Sequence, residues 1–253
     1  MKNRAIVAID SVYELLRVSD FFKMRLNNYV FRGQNKSVWD IETSFERYRD
    51  GKKIEYWNSI EGPKPIGTHL TKYLAKVGGA NEYEEILEFS DNWEKDCGVR
   101  HDNLTSAALR RCFRCPSRLL DVTKSFDCAL YFANEGKEIE DDSAIWAICT
   151  DQISKRAEKI FYTAKERFGD EGWENRLVEE ILCSEQTYES VPIVLLVGTM
   201  KCVPRMVAQE GMFLMPLSKC FMTSLSYSQW IPSSLTYLRI CPSLSTVLFP
   251  TTR

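Results

Sequence analysis

Short apolar runs alternate with amphipathic stretches along the whole chain. The apolar runs end at polar residues or glycines, which is typical of short buried strands; they lie at 5–9, 29–34, 143–150 and 192–197, with a further run around Gly211 at 206–215. The amphipathic stretches repeat apolar residues every three or four positions, which predicts helices packed on a core; they lie at 11–22, 68–97, 127–134, 155–168 and 173–185. The pattern therefore predicts a mixed α and β fold.

Polar residues mark the beginnings of several of these helices. Asp10 or Ser11 precedes the first helix, with Glu14 in position to complete a capping box. Gly78 and Gly79 divide the stretch 68–97 into two helices, and Asn81 precedes the second of them. Thr123 or Ser125 precedes the helix at 127–134 and is expected to cap it.

The domain organisation follows from the linkers. The stretch 51–66 contains two glycines and two prolines and has no helical or strand periodicity, so we expect a loop insertion there. The other linkers are short, and the sequence shows no internal repeat or low-complexity tract. We therefore expect one domain over residues 1–253.

The amino-acid composition limits the classes of partner that the chain is expected to bind. Lys plus Arg is 33 and Asp plus Glu is 35, a net charge of −2, which argues against bulk binding of nucleic acid. The apolar run after the N-terminal basic residues is too short for a signal peptide, and no stretch reaches the roughly 18–20 apolar residues of a membrane helix. The nine cysteines are scattered rather than framed as disulfides. We therefore expect a cytoplasmic protein with reduced thiols and no membrane contact.

The segment 116–133 contains the most candidate ligand-binding residues. Arg118 and Asp121 lie on a predicted short strand, and the polar break that follows it, with Thr123, leads into the N-terminus of a helix. Free backbone N–H groups converge at such a junction, which makes it suited to an anionic ligand. The alternative is that Arg118 and Asp121 pair with each other in a structural salt bridge.

A second candidate contact is Phe31-Arg32-Gly33-Gln34. An arginine at a strand end can bind a phosphate or carboxylate through two N–H groups, and a neighbouring glycine admits close backbone approach. The alternative is an exposed strand followed by a turn.

Three motifs together resemble a known family. Phe31-Arg32-Gly33-Gln34, with Trp39 and Arg47 downstream, resembles the opening signature of the FRG domain family. The segments 116–133 and 205–213 are similar to that family's second and third signatures, in the same order. The chain departs from the pattern at Cys112-Phe113-Arg114, where the family commonly has His-Tyr-Gly, and at Val122, where it has tryptophan.

The order of these motifs is also similar to that of ADP-ribosyltransferases, which implies a split β-sheet with flanking helices and NAD as the ligand. The resemblance implies that Arg32, Gly33, Gln34 and Arg118 contact the phosphates or the adenosine ribose, while Asp121 or Thr123 holds a ribose hydroxyl. It further implies a catalytic turn at Gln209 and Glu210, where Glu210 stabilises the oxocarbenium that forms as nicotinamide leaves.

Three functions follow as alternatives. The first is a NAD- or nucleotide-using enzyme that modifies an unidentified macromolecule; because FRG domains occur in bacterial and phage genomes, the resemblance implies a toxin or phage-defence effector. The second is a non-catalytic module that binds a nucleotide, an ADP-ribose-like molecule or a phosphorylated ligand, since Gln209 can hydrogen-bond a ligand but cannot supply the charge. The third is a structural protein in which the arginines form a buried network.

A zinc site is a further alternative. Cys97, His101, Cys112 and Cys115 form a C-x3-H-x10-C-x2-C arrangement, which could close a tetrahedral site. The spacing within each pair is acceptable, but only one pair is C-x2-C, and free buried thiols are the more common state of such residues. We therefore expect no metal.

Overall fold

The computed structural model describes residues 5–24, 28–39, 41–49, 67–74, 81–136, 141–183, 194–198, 203–216 and 235–240. The strands are β1 Ala5–Ile9, β2 Tyr29–Gln34, β3 Leu120–Thr123, β4 Ser143–Cys149, β5 Val194–Val197, β6 Gly211–Pro216 and β7 Leu235–Ile240. The helices are α1 Val12–Lys23, α2 Ser44–Arg49, α3 Thr68–Leu74, α4 Glu82–Cys97, α5 Asn103–Cys112, α6 Phe126–Asn134, α7 Thr150–Phe168, α8 Trp173–Cys183 and α9 Pro204–Ala208.

The described strands form one seven-stranded sheet in the order β1-β7-β4-β2-β3-β6-β5. Neighbouring strands are antiparallel except β1 and β7, which are parallel. The ladder between β2 and β4 is long, from Tyr29↔Cys149 to Gln34↔Ala144, whereas β2 and β3 pair only at Phe31↔Thr123. The mixed α and β prediction is confirmed. The finer prediction of an ADP-ribosyltransferase-like split sheet is not confirmed.

Several local predictions hold. Ser11 caps α1 by accepting a hydrogen bond from the Glu14 N–H at 3.2 Å. The Glu14 carboxylate accepts one from the Asp10 N–H at 2.9 Å, one residue before the N–H that a capping box uses. Asn81 caps α4 through the Glu84 N–H, and Ser125 caps α6 through the Cys128 N–H. These caps can be predicted from the sequence because they depend only on residues three or four positions apart.

Other boundaries differ from the prediction. The strand expected around Gly211 begins at that residue, because Pro204 suits the first turn of a helix and α9 precedes it. Helix α7 begins at Thr150, directly after β4 and five residues before the predicted start at 155. The predicted loop insertion 51–66 lies outside the described residues, and the single-domain assignment stays a prediction.

One sheet face is covered by α1 and α6. Phe22 of α1, Phe31 of β2 and Phe126 of α6 form an aromatic cluster with ring centroids 5.1–5.8 Å apart. Gly33 lies on the same face, where an added Cβ would stand 2.0 Å from the Ala129 carbonyl oxygen and 2.6 Å from the Ala133 nitrogen. The backbone of α6 therefore occupies the place of a side chain on β2.

Towards β6 and β5, the core is closed by helices that include α4, α5 and α8. Asp96 of α4 ties α3 to this layer, because its carboxylate accepts hydrogen bonds from the His69 and Leu70 N–H groups at 3.2 and 2.8 Å. Within the described part of the chain, no helix has the length and apolar content needed to cross a membrane.

Candidate functional site

The three sequence motifs lie on three adjacent strands. The first is on β2, the second contains β3 and continues into α6, and the third forms α9 and the start of β6. Arg32, Asp121, Thr123, Gln209 and Glu210 are therefore grouped around β3, although they are up to 178 positions apart in the sequence.

Arg32 bonds to the backbone of the neighbouring strand. Its Nη1 donates a hydrogen bond to the Asp121 carbonyl oxygen at 2.7 Å. Because the β2–β3 ladder is confined to Phe31↔Thr123, this bond continues the connection between the strands where the backbone pairing stops. Arg32 is partly exposed, so its position allows it to contact a ligand.

Thr123 holds the turn that carries the predicted catalytic residues. Its hydroxyl donates to the Gln209 carbonyl oxygen at 2.6 Å and accepts from the Ser125 N–H at 2.9 Å. The Lys124 N–H donates to the Glu210 carbonyl oxygen at 3.1 Å. Because Thr123 is 5% exposed and its hydroxyl proton is engaged, its observed contacts are those of a support for the turn rather than of a ribose contact.

Glu210 lies at the tip of this turn. Its backbone φ is 48°, in the left-handed region, and its side chain is exposed. Gln209, the residue before it, is partly exposed and uses its carbonyl oxygen to accept from Thr123. Both side chains can therefore be reached from solvent.

Arg118 does not share this environment. Its Nε donates to Glu82 Oε2 at 2.5 Å, its backbone N–H donates to Glu82 Oε1 at 2.8 Å, and its Nη1 donates to the Ile181 carbonyl oxygen at 3.3 Å. Both members of the ion pair have side chains only 1% exposed. The predicted alternative pairing of Arg118 with Asp121 is wrong, because Arg118 pairs with Glu82; a ligand contact by Arg118 would require this pair to open.

The partner of Asp121 is Arg111, which is not among the site residues predicted from the sequence. Arg111 Nη2 donates to Asp121 Oδ2 at 2.6 Å, and the two side chains are 21% and 50% exposed. The available signal was the basic last turn of α5, where Arg110 and Arg111 favourably face the negative end of the helix dipole. The accessible arginine that pairs with Asp121 is thus Arg111 rather than Arg118.

Gly33 and Gln34 have contacts within the fold. Gly33 packs against α6, as described above, and Gln34 Oε1 accepts a hydrogen bond from Trp146 Nε1 at 2.5 Å. Gln34 is 5% exposed. Their predicted ligand contacts stay predictions, and the observed contacts join β2 to α6 and β4.

The start of α6 already carries an acidic side chain. Asp127 lies in its first turn, and its carboxylate is 3.6 Å from the Lys23 ammonium nitrogen. A carboxylate in the first turn complements the helix dipole but repels a second anion. The accessible guanidinium groups of Arg32 and Arg111 are therefore better placed than the helix N-terminus to attract an anionic ligand.

The described cysteine and histidine residues are distributed without a metal geometry. Among the described residues, no three His, Cys, Asp or Glu side chains come together to hold a metal ion. The His101 ring instead packs near Trp93, with centroids 5.9 Å apart. Burial raises the pKa of the Cys115 thiol to about 11 although Arg110 and Arg111 oppose the shift, so this thiol stays protonated near neutral pH.

The comparison with known families concerns the first part of the chain. Residues 27–142 match the FRG domain family. This FRG segment contains the first two motifs, whereas the third, at 205–213, lies after it. The match supports the FRG resemblance, and the likeness to ADP-ribosyltransferases gains no support. No curated protein and no solved structure matches the chain.

The FRG segment begins just before β2 and ends just before β4. It therefore supplies Arg32, Arg111 and Asp121, together with the buried pair of Glu82 and Arg118. The turn with Gln209 and Glu210 is contributed by the chain outside the segment and is joined to it through Thr123 and Lys124.

Proposed function

We propose that the chain is a NAD-using enzyme that transfers ADP-ribose to a macromolecule or to water. The observation that carries the proposal is the direct bonding of the Gln209–Glu210 turn to Thr123 and Lys124. Arg32 is bonded to the same strand at Asp121. An exposed carboxylate and a partly exposed guanidinium therefore lie near one four-residue strand, β3.

The proposed reaction breaks the bond between ribose C1′ and the nicotinamide nitrogen. The electron pair of this bond leaves with nicotinamide, and positive charge develops on the ribose. The Glu210 carboxylate stabilises that charge, as a carboxylate does in glycosidic cleavage. A nucleophilic oxygen or nitrogen of the acceptor then bonds to C1′ and loses its proton to solvent.

The remaining residues bind and orient the substrate. Arg32 contacts the diphosphate, because guanidinium can donate two parallel hydrogen bonds to phosphate oxygens. Asp121, half exposed, pairs with Arg111 beside this contact. Gln209 donates an amide hydrogen bond to the ligand but carries no charge.

The test measures free nicotinamide after incubation of the full chain with NAD. We expect release by the wild-type protein and its loss, by about 100-fold or more, in Glu210→Gln, since the electrostatic contribution requires the charge. Glu171→Gln is the matched control, because Glu171 is exposed in the connection between α7 and α8. Absence of release from the wild type, or equal release by Glu210→Gln, overturns the enzymatic proposal.

The second candidate function is a binding module without catalysis. It is favoured by one observation: Arg111 and Arg32 both bond to Asp121, and this contact region does not include Glu210. A thermal-shift screen with NAD, ADP-ribose and other nucleotides tests it, because a ligand at 100 times its Kd stabilises the folded state by about 2.7 kcal/mol. Stabilisation without nicotinamide release supports the module, and no shift with any of them contradicts it.

The cellular role is a separate part of the proposal. A toxin or phage-defence effector would need a macromolecular acceptor, and incubation of a host-cell extract with labelled NAD and the chain tests for one. Label transferred to protein or nucleic acid by the wild type, and not by Glu210→Gln, is the expected result. Release of nicotinamide with no labelled macromolecule would leave hydrolysis of NAD as the reaction.

A further inference from the structure

We infer that Asp121 pairs with Arg111 until an anionic ligand displaces the Asp121 carboxylate. Arg111 then becomes the second phosphate contact of the site, after Arg32. The inference rests on the proposed function for the identity of the ligand, an ADP-ribose-like diphosphate. It assigns Asp121 a role opposite to that of a ligand contact, since its carboxylate competes with the ligand for the guanidinium.

The guanidinium of Arg111 can donate more hydrogen bonds than its observed contacts use. Within the described part of the chain, its hydrogen-bond partner is Asp121, through Nη2. Its Nε atom is buried and has no hydrogen-bond acceptor among the described residues. A buried N–H without an acceptor is costly, so a ligand oxygen that reaches it gains a hydrogen bond that Asp121 does not provide.

The neighbouring Arg110 shows that the end of α5 itself is firmly held. Arg110 is fully buried, donates to the Tyr73 hydroxyl oxygen at 2.7 Å and to the Pro116 carbonyl oxygen at 2.8 Å, and forms an ion pair with Glu85. The backbone at Arg111 is thereby fixed. Exchange of partners at Arg111 requires movement of its side chain alone.

The pair of Arg111 and Asp121 is weak enough to exchange. Its members are 21% and 50% exposed, and ion pairs that solvent can reach contribute little to stability. A diphosphate brings more negative charge and several acceptor oxygens, which makes it the stronger partner of a guanidinium. Arg32 is bonded to the backbone of the same Asp121, and the inference places the diphosphate between the two arginines.

The test compares Kd values for ADP-ribose and inorganic pyrophosphate by calorimetry with the full chain. We expect Asp121→Asn to bind both about 3- to 10-fold more tightly, because it removes the competing charge and keeps the side-chain shape. We expect Arg111→Gln to weaken both by about 10-fold. Arg100→Gln is the matched control, since Arg100 is an exposed arginine paired with Asp91 and Glu94 on another surface.

Weaker ligand binding by Asp121→Asn would overturn the inference, since it would make Asp121 a direct ligand contact. Unchanged binding by Arg111→Gln would overturn it as well, and so would a wild-type chain that binds neither probe. Pyrophosphate has no glycosidic bond, so the inference can hold when no nicotinamide is released. Conversely, nicotinamide release that is lost in Glu210→Gln supports the proposed function even if Arg111→Gln leaves ligand binding unchanged.

Discussion

Arg118 of the second FRG motif and Glu82 at the start of α4 form an ion pair that is sealed from solvent on both sides. Glu82 accepts one hydrogen bond from the Arg118 side chain and one from its backbone N–H. Arg118 also donates to the Ile181 carbonyl oxygen in α8. The pair therefore joins two helices to the segment that leads into β3, and this fixes the strand on which the site is built.

Removal of the Glu82 charge should destabilise the protein strongly. Glu82→Gln leaves a buried guanidinium without its counter-charge, and loss of one member of a buried pair costs about 3–5 kcal/mol. Urea unfolding measures the free energy. Glu84→Gln, an exposed neighbour in the same helix turn, is the control and should change it by less than about 0.5 kcal/mol. Equal stability of the two variants would contradict the buried pair.

The same pair predicts a dependence of stability on pH. Burial alone would raise the pKa of Glu82, but the Arg118 guanidinium and its hydrogen bonds outweigh burial and hold the pKa below its ordinary value of 4.5. A lowered folded-state pKa stabilises the protein above the unfolded value, and this stabilisation is lost as pH falls through the folded value. The difference in unfolding free energy between wild type and Glu82→Gln should therefore be full at pH 7 and shrink below 4.5. A difference that stays constant into acid would be inconsistent with this linkage.

Gly33 should tolerate no side chain. In Gly33→Ala the new methyl group would overlap the backbone of α6 at Ala129 and Ala133, and backbone atoms cannot rotate away as a side chain can. We expect a loss of about 3 kcal/mol in the free energy of unfolding, at the upper end for overpacking. Gly198→Ala, where an added Cβ meets nothing within 4 Å, is the control. Wild-type stability of Gly33→Ala would show that α6 does not lie on β2 in this way.

Asp96 should act as a cap for a helix other than its own. Asp96→Ala removes the acceptor of the His69 and Leu70 N–H groups at the start of α3, and loss of such a cap costs about 1–2 kcal/mol. Thermal or urea unfolding measures this loss. Asp170→Ala, an exposed residue in the α7–α8 connection, should be neutral. A neutral Asp96→Ala would remove the link between α3 and α4.

Cys115 should resist alkylation in the folded state. Burial raises its pKa from 9.0 to about 11, so the reactive thiolate is about 100-fold rarer at pH 8 than for an ordinary cysteine. Iodoacetamide labelling followed by mass spectrometry should modify the partly exposed Cys128 well before Cys115, and urea should abolish the difference. Equal labelling of both residues without urea would contradict the burial of Cys115.

Sequence reasoning succeeded where the determinants are local. The caps at Ser11, Asn81 and Ser125 depend on side chains within one helical turn; Asn81 is the single candidate that the sequence offers for its helix, and Ser11 and Ser125 are each one of two. The backbone at Arg114 is a further local feature. Arg114 stands where the FRG pattern has glycine, and its φ of 63° is a backbone conformation that glycine adopts without strain. The family pattern thus carries a backbone requirement that this chain meets with a different residue.

The tertiary partners could not be predicted in the same way. Arg118 pairs with Glu82 at a separation of 36 positions, and nothing in either local sequence distinguishes this partner from Asp121. From the sequence alone, Gly33 is interpreted as a place where a ligand approaches the backbone, whereas in the structure the backbone of α6 lies there. Partners of buried charges depend on which helices cover the sheet, and that arrangement is set by the packing of the whole chain.

The most direct test of the account is a crystal structure of the full chain with ADP-ribose. The account predicts the diphosphate within hydrogen-bond distance of Arg32 and Arg111, with the Asp121–Arg111 pair opened and the Glu210 carboxylate facing the ribose C1′. ADP-ribose bound elsewhere, with Arg111 still paired to Asp121 and Glu210 remote from the ribose, would contradict it.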